Sequence, residues 1–129
     1  MWYSGEVILN DLQRELRDFA AQRDWQRFHV PKNLVMALSG EVGELTELFQ
    51  WLTPEESATV MERAGQAERV REEVADVFAY LLQIADALDI DLVAALRAKM
   101  TINDQKYPVS LAAGRADKYD QLRPEGPEA

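Results

Sequence analysis

Four stretches of the sequence carry leucine, valine and phenylalanine at three- and four-residue spacing, separated by prolines and polar turns. That spacing lays apolar side chains along one side of an α-helix, whereas a half-buried strand would alternate them. No strand-like alternation of β-branched residues occurs, and no Asn-Gly or Asp-Gly hairpin signal. The expected fold is therefore all-α, a four-helix bundle; in so short a chain its core would be thin, and association of subunits through helix packing is expected with it.

The breakers divide the bundle. A first helix is expected from Glu6 to Asp24, with Ser4 as N-cap and Val7, Leu9, Leu12, Leu16 and Phe19 on its buried side. Pro31 suits the first turn of a second helix, whose missing amide hydrogen costs nothing there, and Thr53-Pro54 ends it after Leu52. Residues Pro54 to Gln66 turn polar: Pro-Glu-Glu-Ser suggests a short helical start, and Gly65 a break. The third helix is expected from Ala67 to Leu88, with Val70, Val74, Val77, Phe78, Leu81 and Ala85 as one buried stripe. Asp91 can cap a fourth, running through Leu92, Ala95, Leu96 and Met100 to Lys106, where Tyr107-Pro108 stops it. A helical domain over 1–110 and an extended tail over 111–129 follow, with Lys118-Tyr119 the part of the tail expected to dock.

Composition narrows the function. A formal charge of −9 argues against a polymeric nucleic acid as partner, because such binders gain affinity from Lys and Arg that displace phosphate counterions. A small polyphosphate can still bind where a divalent cation neutralises ligand and carboxylates together. The absence of Cys excludes thiolate chemistry, and neither a membrane span nor a signal peptide is evident, so a cytoplasmic location is expected.

The acids of two helices stand out. Glu41 falls within the apolar stripe of the second helix, and Glu44, three residues on, lies at the stripe's edge. Glu73 and Asp76 occupy the margin of the third helix's stripe, with Tyr80 beside them one turn further. Paired carboxylates turned toward apolar surroundings must shift their pKa, find a cation or bind a metal. Lys32 is the only cation between Pro31 and Leu52, so a divalent ion is the obvious compensation. Oxygen ligands without Cys or His select Mg²⁺, with Mn²⁺ as a substitute. A lone Glu-x-x-Glu is usually a solvated face, but here two such pairs occur. Gly40 and Gly43, each costing a mid-helix position about 1 kcal/mol relative to Ala, add the suggestion of a close approach by a helix or a ligand.

The series Glu41-Val-Gly-Glu44, 28 intervening residues, Glu73-Val-Ala-Asp76 resembles the ExxE…ExxD signature of MazG-like pyrophosphohydrolases. Within that family the chain looks most like the dCTP pyrophosphatase branch. The likeness runs through Phe19-Ala-Ala-Gln-Arg-Asp-Trp25, Phe28-His29, Asn33-Leu34, Gly40-Glu-Val-Gly-Glu-Leu45, Glu47-Leu-Phe-Gln-Trp51 and Lys106-Tyr-Pro-Val109. It extends from Leu12 to Leu122 and includes Lys99-Met100, Asn103, Gly114 and Lys118-Tyr119.

The resemblance implies Mg²⁺-dependent hydrolysis of a deoxynucleoside triphosphate to the monophosphate and pyrophosphate, in a tetramer or dimer. By that likeness Glu41, Glu44, Glu73 and Asp76 would hold the metal. Asn103, Lys106 and Tyr107 would bind phosphates, and Trp25, His29, Trp51 and Tyr80 would surround the base or sugar. Lys99 shares a helix face with Asn103 and Lys106 and joins the candidate substrate-binding set, as do Lys118 and Tyr119. Glu44, where a ligand can reach it, is the favoured water-activating group, with Glu41 second. One departure is visible: the animal members carry a first-helix histidine in the base pocket, where Leu16 stands here. The choice among cytosine, a 5-substituted cytosine and bases such as those of dUTP or dGTP stays open.

Two other readings compete. A carboxylate-bridged di-iron bundle would want Glu-x-x-His motifs, and neither acid-bearing helix has a His. A non-catalytic acidic oligomerisation module would explain charge and amphipathicity but not paired core-edge acids flanked by glycines.

Overall fold

A computed structural model of the chain describes residues 5–122. Among these every regular element is helical: α1 (Gly5–Gln22), α2 (Pro31–Phe49), α3 (Pro54–Ala58), α4 (Ala64–Ala87), α5 (Leu92–Lys106) and α6 (Val109–Ala112), with 3₁₀ turns at Gln26–Phe28, Val60–Glu62 and Tyr119–Gln121. The expected cap Ser4 lies outside the described residues. No helix among them is long and apolar enough to cross a membrane. The chain divides into two compact units, one ending at Ile90 and one beginning at Asp91.

In the first unit α4 is the central rod, packing against both α2 and α1. Glu41 of α2 lies opposite Glu73 and Asp76, while Leu34 shares a cavity with Gln83, Asp86 and Ala87, so α2 and α4 run antiparallel. Gln13 Nε2 donates to the Leu82 carbonyl at 3.0 Å and Arg17 Nη1 to Asp86 Oδ1 at 2.6 Å. Both partners advance by four residues between these bonds, so α1 and α4 are parallel along a polar seam one turn long. Ala20, Leu34, Val70, Leu82 and Ala85 form the buried centre.

Local chemistry sets the ends. Pro31 occupies the first turn of α2 after the extended Val30, and Asn33 Nδ2 ties that turn to the Phe28 carbonyl at 2.9 Å. Thr53 and Glu56 form a reciprocal capping box, each bond 3.1 Å, which explains the short α3. α1 and α4 stop alike. Asp24 and Asp89 take left-handed φ of 53° and 54°. The amides of Trp25 and Ile90 reach back to the carbonyls of Ala20 and Ala85 at 3.0 and 2.8 Å. This is a Schellman closure with aspartate where glycine is usual.

Three expectations differ from what forms. α2 ends at Phe49, which leaves Trp51 beyond the helix and 85% exposed. α4 starts at Ala64, so Gly65 sits in its first turn, where glycine interrupts little because those amides have no helical partner anyway. The apolar stripe of α4 is only partly covered. Val70 and Ala85 are buried, while Val74, Phe78 and Leu81 remain exposed, as do Val35, Met36 and Val42 of α2. The apolar arc of α4 is wider than α1 and α2 together cover.

In the second unit Asp91 Oδ1 accepts from the Ala94 amide at 2.9 Å and opens α5. Pro108 follows α5 and begins the one-turn α6. The Tyr119 ring meets that of Tyr107 edge-on at 6.4 Å, and Lys106 Nζ lies 4.6 Å from its centre.

Candidate active site

α2 and α4 bring the acids together because each pair sits near the middle of its helix on the side facing the other. One carboxylate oxygen from each of Glu41, Glu73 and Asp76 can be chosen so that all three lie within 4.8 Å of one another. Glu44 is exposed but within side-chain hydrogen-bonding reach of both Glu41 and Glu73. The pairs expected from the sequence thus form one cluster, with Glu44 on its open side.

The electrostatics are those of a cluster lacking a positive charge. Burial, then hydrogen bonding to Glu44 and the charges of Glu44 and Asp76, push the Glu41 carboxyl from 4.5 up to about 7. Burial and Glu44 also raise Glu73. Glu41 Oε2 and Glu73 Oε2 are buried without a hydrogen-bond partner. Two carboxyls in hydrogen-bonding contact need a shared proton, and a cation that displaces it would satisfy both orphaned oxygens. Hard oxygen donors without nitrogen or sulfur suit a hard divalent ion. The residues present fit one. Gly40 and Gly43 flank the acids on α2, and a Cβ added at either would meet nothing within 4 Å, so in the single chain no helix approaches there.

A cavity of about 220 Å³ opens in the same unit, lined by Leu16, Arg17, Ala20, Gln26, His29, Leu34, Gln83, Asp86 and Ala87. Leu34 and Gln83 each lie seven residues from an acid of the cluster, Glu41 and Asp76. Seven residues are two helical turns, which keeps the same face and advances about 10 Å. Cavity and carboxylates therefore occupy one groove. Leu16, Ala20, Leu34 and Ala87 supply apolar wall, and the Arg17–Asp86 ion pair borders it.

The remaining candidates separate. His29 lines the cavity, half-buried, its ring 6.5 Å from that of Trp25. Trp25 packs edge-on against Phe19 at 5.8 Å, and the Arg23 guanidinium lies 3.5 Å over Phe19. Tyr80 is half-buried on α4, one turn beyond Asp76. Trp51 has no ring partner among the described residues. Lys99 and Asn103 are exposed on α5, Lys106 and Tyr107 are half-buried at its end, and Lys118 and Tyr119 begin the last turn. Gln83, Arg17 and Asp86 were not expected at a site. Gln83 was legible, since it repeats the face of Asp76 after two turns; the cross-helix pairing of Arg17 and Asp86 needed the fold.

The MazG-like family model matches residues 36–122. dCTP pyrophosphatase 1 of Rattus norvegicus and that of Homo sapiens are each 44% identical over 120 residues, covering 93% of this chain and 71% of theirs. Among solved structures, a pyrophosphatase from Archaeoglobus fulgidus superposes with a TM-score of 0.74 at 38% identity, over 84% of this chain and 98% of that one. With Glu41, Glu44, Glu73 and Asp76 all inside the matched segment, the chain is a member of the MazG-like family.

Proposed function

We propose that this protein is a Mg²⁺-dependent pyrophosphohydrolase that cleaves a deoxynucleoside triphosphate, dCTP or a 5-modified dCTP, to the monophosphate and pyrophosphate. The observation that carries the reading is the convergence of Glu41, Glu73 and Asp76, two of them with buried, unpartnered oxygens. Membership of the family and the likeness to dCTP pyrophosphatases support the reaction class.

Glu41, Glu73 and Asp76 would hold the ion, with Glu44 completing the set. When bound, the ion supplies charge neutralisation for the triphosphate and polarises its phosphoryl oxygens. Glu44 faces the open side and takes the proton of the attacking water as the water oxygen bonds to the α phosphorus. The bond from that phosphorus to the bridging oxygen of the β phosphate breaks, and pyrophosphate leaves with the electron pair. Glu44 returns its proton to solvent.

The cavity two turns along the groove is at the reach of a nucleotide from its phosphates to its base, and it contains both His29 and Leu16. We assign the base to it, with Trp25 and Tyr80 nearby on the same unit. Lys99, Asn103, Lys106, Tyr107, Lys118 and Tyr119 are phosphate-binding candidates on chemistry and family likeness alone. The exposed apolar residues of α2 and α4, Val35, Met36, Val42, Val74, Phe78 and Leu81, support association of subunits, dimer or tetramer, because packing against another copy would bury them.

Release of pyrophosphate from dCTP, 5-methyl-dCTP, dUTP, dTTP and dGTP, with and without Mg²⁺, tests this directly. Turnover of the cytosine nucleotides that disappears on chelation is expected. Full turnover after chelation would remove the metal from the reaction, and no release from any nucleotide would remove the activity.

A further inference from the structure

Gln83 lines the cavity, and the orientation of its amide is not free. Gln83 Nε2 donates to the Ala79 carbonyl, one turn back on α4, at 3.1 Å. Rotating the amide by half a turn would set Oε1 against that carbonyl, two acceptors face to face, at the cost of a hydrogen bond in a half-buried setting. The Ala79 carbonyl therefore locks the amide so that Oε1 is the acceptor left over. No bond to that oxygen occurs among the described residues. The side chains of Gln26 and His29, which also line the cavity, likewise have no hydrogen-bond partner among the described residues. A partly apolar cavity with such unengaged polar ends suits a planar heterocycle whose edge carries hydrogen-bonding groups.

We propose that Gln83 is a specificity-determining residue: its locked amide oxygen accepts from the exocyclic amino group of the base and rejects a carbonyl in the same place. Resting on the functional reading above, this adds a residue and a direction to it. Cytosine presents an amino group where uracil and thymine present an oxygen. A pocket that offers a fixed acceptor gains a bond with the first and sets two acceptors together with the second. Discrimination by such a polar contact exceeds what shape alone provides, because the wrong base leaves buried polar groups unpaired. Leu16, which lines the cavity from α1, offers only apolar contact, so the amino-group reading falls to Gln83 on α4.

Wild-type, Gln83→Leu and Gln83→Glu are compared in kcat/KM for dCTP and dUTP, and separately in equilibrium binding of dCMP and dUMP to the full chain by calorimetry. Wild-type should favour the cytosine nucleotide by roughly 10- to 100-fold. Gln83→Leu, which suits a helix, should bring the ratio to within about threefold of unity. Gln83→Glu restores an acceptor and should recover the preference, which a merely structural role would not require. An unchanged ratio in Gln83→Leu, or a wild-type preference for the uracil nucleotide, overturns the proposal. Should no triphosphate be hydrolysed, the monophosphate binding ratios still decide the role of Gln83, while the activity itself would be refuted.

Discussion

Replacing Glu41 by Gln should stabilise the metal-free protein at alkaline pH. The Glu41 carboxyl is raised from 4.5 to about 7 by its own burial and by Glu44. Between those values the folded state holds a proton that the unfolded chain has released. Stability from this group is therefore complete below about pH 4.5 and is lost as pH rises through about 7. Unscreened, the displacement corresponds to about 3 kcal/mol between the two protonation states. Water reaches the cluster through the Glu44 side, and screening reduces this to about 1 kcal/mol. Gln keeps the shape and carries no charge to be penalised. At pH 8 with a chelator present, Glu41→Gln should melt about 3 to 5 °C above wild-type, and at about pH 3.5, below the ordinary value of 4.5, the two should melt together. Comparing the two proteins at each pH cancels the titrating groups outside the cluster. Millimolar Mg²⁺ should then raise the wild-type transition and leave that of Glu41→Gln almost unmoved, since binding to the folded state alone stabilises it. A variant less stable than wild-type at pH 8, or a gain of equal size at both pH values, would refute the view that Glu41 bears a penalty awaiting a cation.

Asp76→Asn and Glu73→Gln should each fold, by far-UV circular dichroism, and lose most pyrophosphate release, because each removes one charge from the proposed ion site. Asp89→Gly should raise stability by about 0.5 to 1 kcal/mol in urea unfolding, as glycine accepts the left-handed φ of 54° without strain. Asp91→Ala removes the acceptor for the Ala94 amide and should cost about 1 kcal/mol, measured the same way. Arg17→Ala breaks a partly exposed ion pair with Asp86 and should cost no more than about 1 kcal/mol.

What could be read from the chain in advance was whatever depends on neighbours in sequence. Pro31, Thr53-Pro54, Asp91 and Tyr107-Pro108 bound helices because fixed φ and side-chain caps act within a turn. The two acid pairs were legible because three-residue spacing on a helix is itself a distance. The early end of α2 was not, since nothing between Phe49 and Leu52 forbids another turn, and Trp51 is left outside it as a result. The aspartates at the ends of α1 and α4 hide for a similar reason: glycine is the usual signal for a left-handed residue. An apolar residue does not say whether it meets its own chain or another, so Val74, Phe78 and Leu81 were expected inside and stand exposed. The cavity combines side chains from three helices and one turn, a juxtaposition that only the fold creates.

The polar seam between the outer rod and the central one joins residues 69 apart in the chain. During synthesis α1 must therefore wait, its apolar side uncovered, until the 69 residues that separate it from its partners on α4 have followed it from the ribosome. Such a long closure is entropically costly, and helices this short hold poorly alone in water. The bundle should consequently appear late and all at once, when its last long rod arrives to be embraced from both sides.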